Sequence, residues 1–253
     1  MSVILFSAIG QGFSQSLSDI LREAENNYKN FNQDFKDMSI VFDAKIYTPE
    51  GEMLSEMKLF TKGEKSRSEI VMQMPEGMGS MQTIIIFDGQ DTWMISPFVG
   101  KNKLTTKQAE EQMQYQAGMN WWRSISDKAK YIGIERINNR ECYVLEIEAG
   151  GASFYSRIWV DKNNLFLVQA EGKNDSGETM RMIFSDFRKI KDNWELPYKT
   201  EGFMDEVQMM TILLKSFEIN QGLSDDLFDV DKVEASGPNM QEMMQNLMQQ
   251  GKD

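Results

Sequence analysis

Met74, Met78 and Met81 fall in one short stretch, Met74-Pro-Glu-Gly-Met78-Gly-Ser-Met81, and bring thioether sulfur close together. Thioether sulfur is a soft ligand for monovalent copper and an adaptable contact for varied apolar partners. Other reactive chemistry is scarce. The chain has no histidine, which removes Ser-His-Asp and Cys-His pairs, imidazole zinc sites and histidine acid–base catalysis. The single Cys142 permits neither an internal disulfide nor a cysteine cluster, and its alternating run Glu141–Glu148 reads as a strand with a small buried hydrophobe. Carboxylates are abundant, but no spacing singles out an acid–base pair. Asp161, Asp175 and Asp186 sit at strand ends and turns, where solvation explains them. No catalytic residue, bound metal or cofactor is therefore expected.

The elements that position these groups are mostly strands. Thr83–Phe98 carries Ile84-Ile85-Ile86-Phe87 into an Asp88-Gly89 turn and returns through Trp93, Met94 and Ile95 to Pro97. Asp-Gly suits a two-residue hairpin turn, and the flanking β-branched and aromatic residues suit a half-buried pleated surface. Before it, Leu17, Ile20, Leu21, Ala24, Tyr28 and Phe31 recur at helical spacing, with Ser16 or Ser18 to cap the start. Strand alternation follows over Met38–Ile46, Met53–Thr61 and Lys65–Met74. Polar, helix-prone residues span Thr105–Gln116. Asn-, Asp- and Gly-rich turns at Asn138-Asn139, Asp161–Asn164, Asn174–Gly177 and Lys191–Asn193 then punctuate a second meander. The expected architecture is mainly β with helices (α+β): a half-open antiparallel β-barrel with helices covering a concave hydrophobic cavity.

Arg67 lies in Lys62-Gly-Glu-Lys-Ser-Arg67-Ser-Glu69, where alternation sends Arg67 and Glu69 to one face. That face is either concave, making Arg67 an inward cation in need of a partner, or convex, making the two a solvated pair. The formal net charge of −12 disfavours nucleic acid and anionic membrane surfaces as partners. Val3–Ile9 followed by Gly10–Gln15 resembles the apolar core and cleavage zone of a secretory signal, without the usual basic start. Three segments are expected: residues 1–15 as a truncated signal, 16–235 as one domain, and 236–253 as a Met- and Gln-rich amphipathic tail. In that tail Met240, Met243, Met244, Leu247 and Met248 share a helical face. The chain contains 20 methionines, so a Met-rich wall for lipid chains or varied hydrophobic segments competes with ordinary core filling.

The order of these features resembles the LolA/LolB superfamily of periplasmic outer-membrane lipoprotein-sorting proteins. The resemblance runs from Leu17 to Val233. It rests on the Lys62–Glu69 strand, Ile84–Phe98, a helical insert, Trp159-Val-Asp161, Phe184-Ser-Asp-Phe187 and Leu196-Pro-Tyr198. It implies a soluble, exported periplasmic carrier, monomeric and non-enzymatic, that encloses the acyl chains of a lipoprotein or similar hydrophobic ligand. It also implies inner- and outer-membrane sorting components as partners, with no nucleic acid. Ile85, Phe87, Trp93, Met94, Met209 and Leu213 are the expected lining. Arg67 is the position matching a lid-closing arginine, and Met74, Met78 and Met81 form the expected lid region. An envelope-stress sensor on the same fold and a copper-binding protein stand as alternatives.

Overall fold

The computed structural model describes residues 16–74, 79–106, 108–109, 121–124, 129–148, 155–174, 176–191 and 194–234. The expected signal segment, Met78, most of Thr105–Gln116 and the C-terminal tail lie outside the described residues.

One helix, α1 (Leu17–Asp34), precedes thirteen strands. They are β1 (Asp37–Thr48), β2 (Gly51–Lys62), β3 (Lys65–Gln73), β4 (Ser80–Phe87), β5 (Thr92–Ser96), β6 (Gly100–Lys103), β7 (Ala129–Ile137), β8 (Arg140–Ile147), β9 (Tyr155–Asp161), β10 (Leu167–Lys173), β11 (Thr179–Lys191), β12 (Trp194–Met204) and β13 (Val207–Ile219). All belong to one antiparallel sheet in the order β6-β5-β4-β3-β2-β1-β13-β12-β11-β10-β9-β8-β7. The chain thus begins mid-sheet, meanders out to β6, crosses to the far edge at β7, and meanders back until β13 pairs with β1. β6 and β7 do not pair, so the sheet stays open.

The start of α1 follows from its sequence. Ser16 Oγ accepts from the Asp19 N–H at 3.2 Å, while Asp19 Oδ2 accepts from the Ser16 N–H at 3.3 Å. This reciprocal box satisfies two donors that a helix start leaves open. Ile20 and Ala24, with Leu17, Leu21 and Tyr28 beside them, then pack on Tyr143, Leu145, Ile147, Ile158, Val160, Leu167 and Ala170 of β8–β10. Trp121 and Trp122 join this cluster from a 3-10 turn, Trp121–Ser124, in the crossing segment. The far end of α1 carries Phe31, which joins Phe35 and Met38 in a second cluster near the start of β1.

One corner ties α1 to the sheet. Arg140 donates to Asp161 Oδ2 at 2.8 Å and to Glu195 at 2.9 Å, joining β8, β9 and β12. Asn163 and Asn164 N–H groups donate to the other Asp161 oxygen. The same turn presents the carbonyls of Asn164 and Leu165 to Asn27 of α1 and to the Trp121 indole, at 2.8 and 2.9 Å.

The Asp88-Gly89 turn is longer than expected. Phe87 pairs with Thr92, so four residues, Asp88–Asp91, make the loop rather than two. Asp88 explains this: its Oδ1 accepts from the N–H groups of Gln90 and Asp91, and its Oδ2 from the Trp93 indole. Partial burial opposes its charge, yet these donors hold its carboxyl below the usual carboxylate range.

Candidate functional site: an uncharged methionine-rich sheet face

Strand alternation sorts the sheet into two unlike faces. On one, the cross-strand register runs Met53-Ile46-Met210-Gly202-Met182-Ala170-Ile158-Leu145-Tyr131, from β2 to β7, without a charged residue. At about 4.8 Å per strand this row is roughly 40 Å long. A parallel row runs Met81-Met72-Ser55-Ala44-Ile212-Thr200-Phe184. Two further rows start Thr83-Ile70-Met57-Phe42-Leu214 and Ile85-Ser68-Leu59-Ile40-Phe217, again uncharged.

The first face has charged exceptions in the Arg136–Glu141 pair and in Arg188, opposite Leu196, but the other carries most of the charge. One of its rows alternates Lys130-Glu146-Arg157-Glu171-Arg181 across five strands, placing opposite signs in direct register. A polar hollow of about 440 Å³ lies there, lined by Lys130, Glu146, Ile147, Glu148, Ser156, Arg157 and Glu171.

α1 covers only part of the uncharged face. Beneath it, Leu145 and Ala170 are fully buried, at 0% exposure. Beyond it, Ile46, Met53, Met57, Ile70, Met72, Met81, Ile85, Phe87, Met94, Met210 and Ile212 stay partly exposed. Met210 and Met182 lie over Gly202. A Cβ on Gly202 would come within 2.8 Å of Met210 Cγ and 3.1 Å of Met182 Sδ, so only glycine lets those two side chains meet across β12.

The expected lining residues separate on this map. Ile85, Phe87 and Met94 are on the uncharged face, with Ile85 opposite Met94. Trp93 stands opposite Ile86 on the other face, bonded to Asp88. Leu213 stands opposite Asp43 and Lys199 on that charged side, 42% exposed. Met209 is the extra residue of a bulge between the Met210 and Gln208 pairings with β12. Met81 stands opposite Met72, and Met74 closes its loop by donating its N–H to the Gly79 carbonyl.

Arg67 has a different neighbourhood from a face-closing lid. It pairs with Glu69 at 2.7 Å on the face opposite the methionines, and both side chains are largely buried, at 11% and 15% exposure. The cover comes from residues 223–233, which return over β3–β5 through two 3-10 turns, Asp225–Phe228 and Val230–Lys232. Arg67 donates to the Leu227 carbonyl at 2.9 Å, Lys62 to Leu223, and Phe228 and Val233 pack on Ile84, Ile86 and Ile95. Sequence alternation put Arg67 and Glu69 together but gave no hint of this clasp. The apolar Leu227, Phe228, Val230 and Val233 after the last strand were the available signal.

Residues 64–235 match the model of a protein family described only as "Uncharacterized protein". The chain belongs to that family. A search of the curated proteins finds no match. Among solved structures, the fold is similar to a LolA superfamily protein from Nitrosomonas europaea, with 19% identity, a TM-score of 0.59, and coverage of 87% of this chain and 100% of that one. It is also similar to a Vibrio parahaemolyticus domain named for outer-membrane lipoprotein sorting, at 11% identity and TM-score 0.60, covering 84% and 96%. A DUF1329 family protein from Desulfovibrio piger aligns at 18% identity and TM-score 0.56, covering 82% and 96%. The fold is LolA-like, an open antiparallel sheet with one described helix on its apolar face. Among the described residues no helix is long and apolar enough to cross a membrane.

Proposed function

We propose that this protein is a periplasmic carrier that shelters the acyl chains of lipoproteins, or similar hydrophobic cargo, on their way to the outer membrane. The observation that carries the reading is the uncharged, methionine-rich part of the sheet that α1 leaves partly exposed. On a LolA-like sheet this surface serves as one wall of a hydrophobic cavity, with Ile85, Phe87 and Met94 beside Met57, Met72, Met81 and Met210. Each methylene moved from water onto it contributes about 0.8 kcal/mol. Unbranched thioether side chains adapt to chains of differing length and branching. The rows of this face described above set no charged residue beside their hydroxyls, which fits binding and release without chemistry. The inner- and outer-membrane sorting components implied by such a carrier would donate and accept the cargo.

The test is native mass spectrometry of the full chain purified from the periplasm. Bound lipid or lipoprotein is expected on the wild type and absent from Met57→Glu, whose charge would be desolvated by any acyl chain. Equal lipid on both proteins, or none on the wild type, would refute the assignment.

A further inference from the structure

Among the described residues, Ser55 is the one polar side chain in the middle of this wall that is both buried and unbonded. It is 7% exposed, and its Oγ has no hydrogen-bond partner. Register places it between Met72 of β3 and Ala44 of β1, with Met53 and Met57 as its same-face neighbours on β2. A buried hydroxyl without a partner costs about 1–3 kcal/mol, so a protein gains by removing it unless something arrives to bond it. The neighbours are suited to such an arrival. Methionine side chains swing aside on their three rotatable bonds, and Ala44 has nothing beyond Cβ to block the other side.

The surroundings also specify what arrives. The register partners nearest Ser55 on this face are Met72, Met81, Ala44, Ile212, Ile46, Met53, Met57, Ile70 and Phe42, none of them charged. A carboxylate drawn in beside them would lose its water with no cation in return, which costs far more than one hydrogen bond recovers. A neutral carbonyl bears no such penalty. Resting on the carrier reading above, we propose that Ser55 anchors the ligand by donating its hydroxyl proton to the carbonyl oxygen of a neutral ester-linked acyl chain. The methionines then grip the hydrocarbon on either side, and the hydroxyl sets how far along the wall the chain sits. Free fatty acids and plain hydrocarbons lack one half of this match.

The experiment compares dioctanoylglycerol with its dialkyl ether analogue, which keeps the chain length but has no carbonyl. Binding to the full chain is measured by titration calorimetry. The wild type is expected to favour the ester by roughly tenfold, the value of one buried hydrogen bond. Ser55→Ala is expected to bind both lipids at the ether's affinity, and Ser55→Thr, which keeps the hydroxyl, to retain the preference. Ser55→Ala should also raise the thermal midpoint of the ligand-free protein by roughly 2–4 °C, because the unbonded hydroxyl is gone. Wild type binding both lipids equally, or Ser55→Ala still preferring the ester, overturns this inference while leaving the carrier reading in place. Binding of neither lipid overturns both.

Discussion

The two halves of the uncharged face are both largely apolar and end in different states. Under α1, Tyr143, Leu145, Ile158, Val160 and Ala170 are sealed by Ile20, Ala24, Trp121 and Trp122. Across β1–β5 and β13, Ile46 and Met210 continue the row of Leu145, Ile158 and Ala170, Met57, Ile70, Met72 and Ile85 lie in neighbouring rows of the same face, and all six remain partly exposed. Residue types differ: the buried cluster of the sealed half holds branched and aromatic side chains and no methionine, whereas the open half mixes isoleucine with Met53, Met57, Met72, Met81 and Met210. Rigid side chains suit a fixed packing partner, and flexible ones suit a partner that changes. The difference teaches that one half holds the fold together and the other stays open, as the proposed carrier reading requires.

That division can be broken by substitution. Leu145→Ala, in the sealed half, should cost about 3 kcal/mol, as fully buried leucines do, measured by denaturant unfolding. A loss under 1 kcal/mol would mean that α1 is not the seal. Arg140→Ala should cost roughly 2 kcal/mol in the same assay, because Asp161, at 0% exposure, would lose its cation while keeping its backbone donors. The figure sits below that for a fully buried pair because Arg140 itself is partly solvated. Trp121 emission should shift to the red in this variant, since its indole bonds the turn that Asp161 organises.

Cys142 gives a third probe, from the opposite face of β8, where it packs among Val144, Trp159 and Val168 behind the sealed half. Burial, and then the nearby Asp161 charge, push its thiol up from 9.0 to about 11. The folded state therefore holds this proton more tightly than the unfolded chain. Stability from the neutral thiol is complete below pH 9 and is lost as pH rises towards 11. The wild type should lose about 2 kcal/mol more than Cys142→Ala over that interval. Parallel pH profiles for the two proteins would contradict the burial. The smallest effect belongs to the open half. Ile70→Ala should cost only about 1 kcal/mol of stability, since its side chain is already partly in water, yet weaken acyl-lipid binding several-fold. A loss as large as that of Leu145→Ala would erase the distinction between the halves.

Much of this was legible in the residues themselves. The α1 stripe from Leu17 to Phe31 and its Ser16 cap could be read directly, because a helix start and a 3.6-residue period are local. The strands before and after the crossing segment were legible from alternation and from Asn/Asp turns. The four-residue loop at Asp88 was not, because its length depends on a carboxylate that accepts from Gln90, Asp91 and Trp93 together.

The candidate site divided differently. Ile85, Phe87 and Met94 share one face of the sheet, whereas Trp93 and Leu213, grouped with them from the sequence, face the other way. In Ile84-Ile85-Ile86-Phe87 every residue is apolar, so alternation cannot say which side is core. The sequence by itself determined the helix, the strands, their order and the absence of histidine or thiol-pair chemistry, since these depend on residue type and near neighbours. Only the tertiary structure decided which face stays open. Residues 223–233 return over Ile84, Ile86 and Ile95 from more than a hundred positions away in the chain, and bury one side of that hairpin. Their cover leaves Ile85 and the methionines as the surface still facing outward.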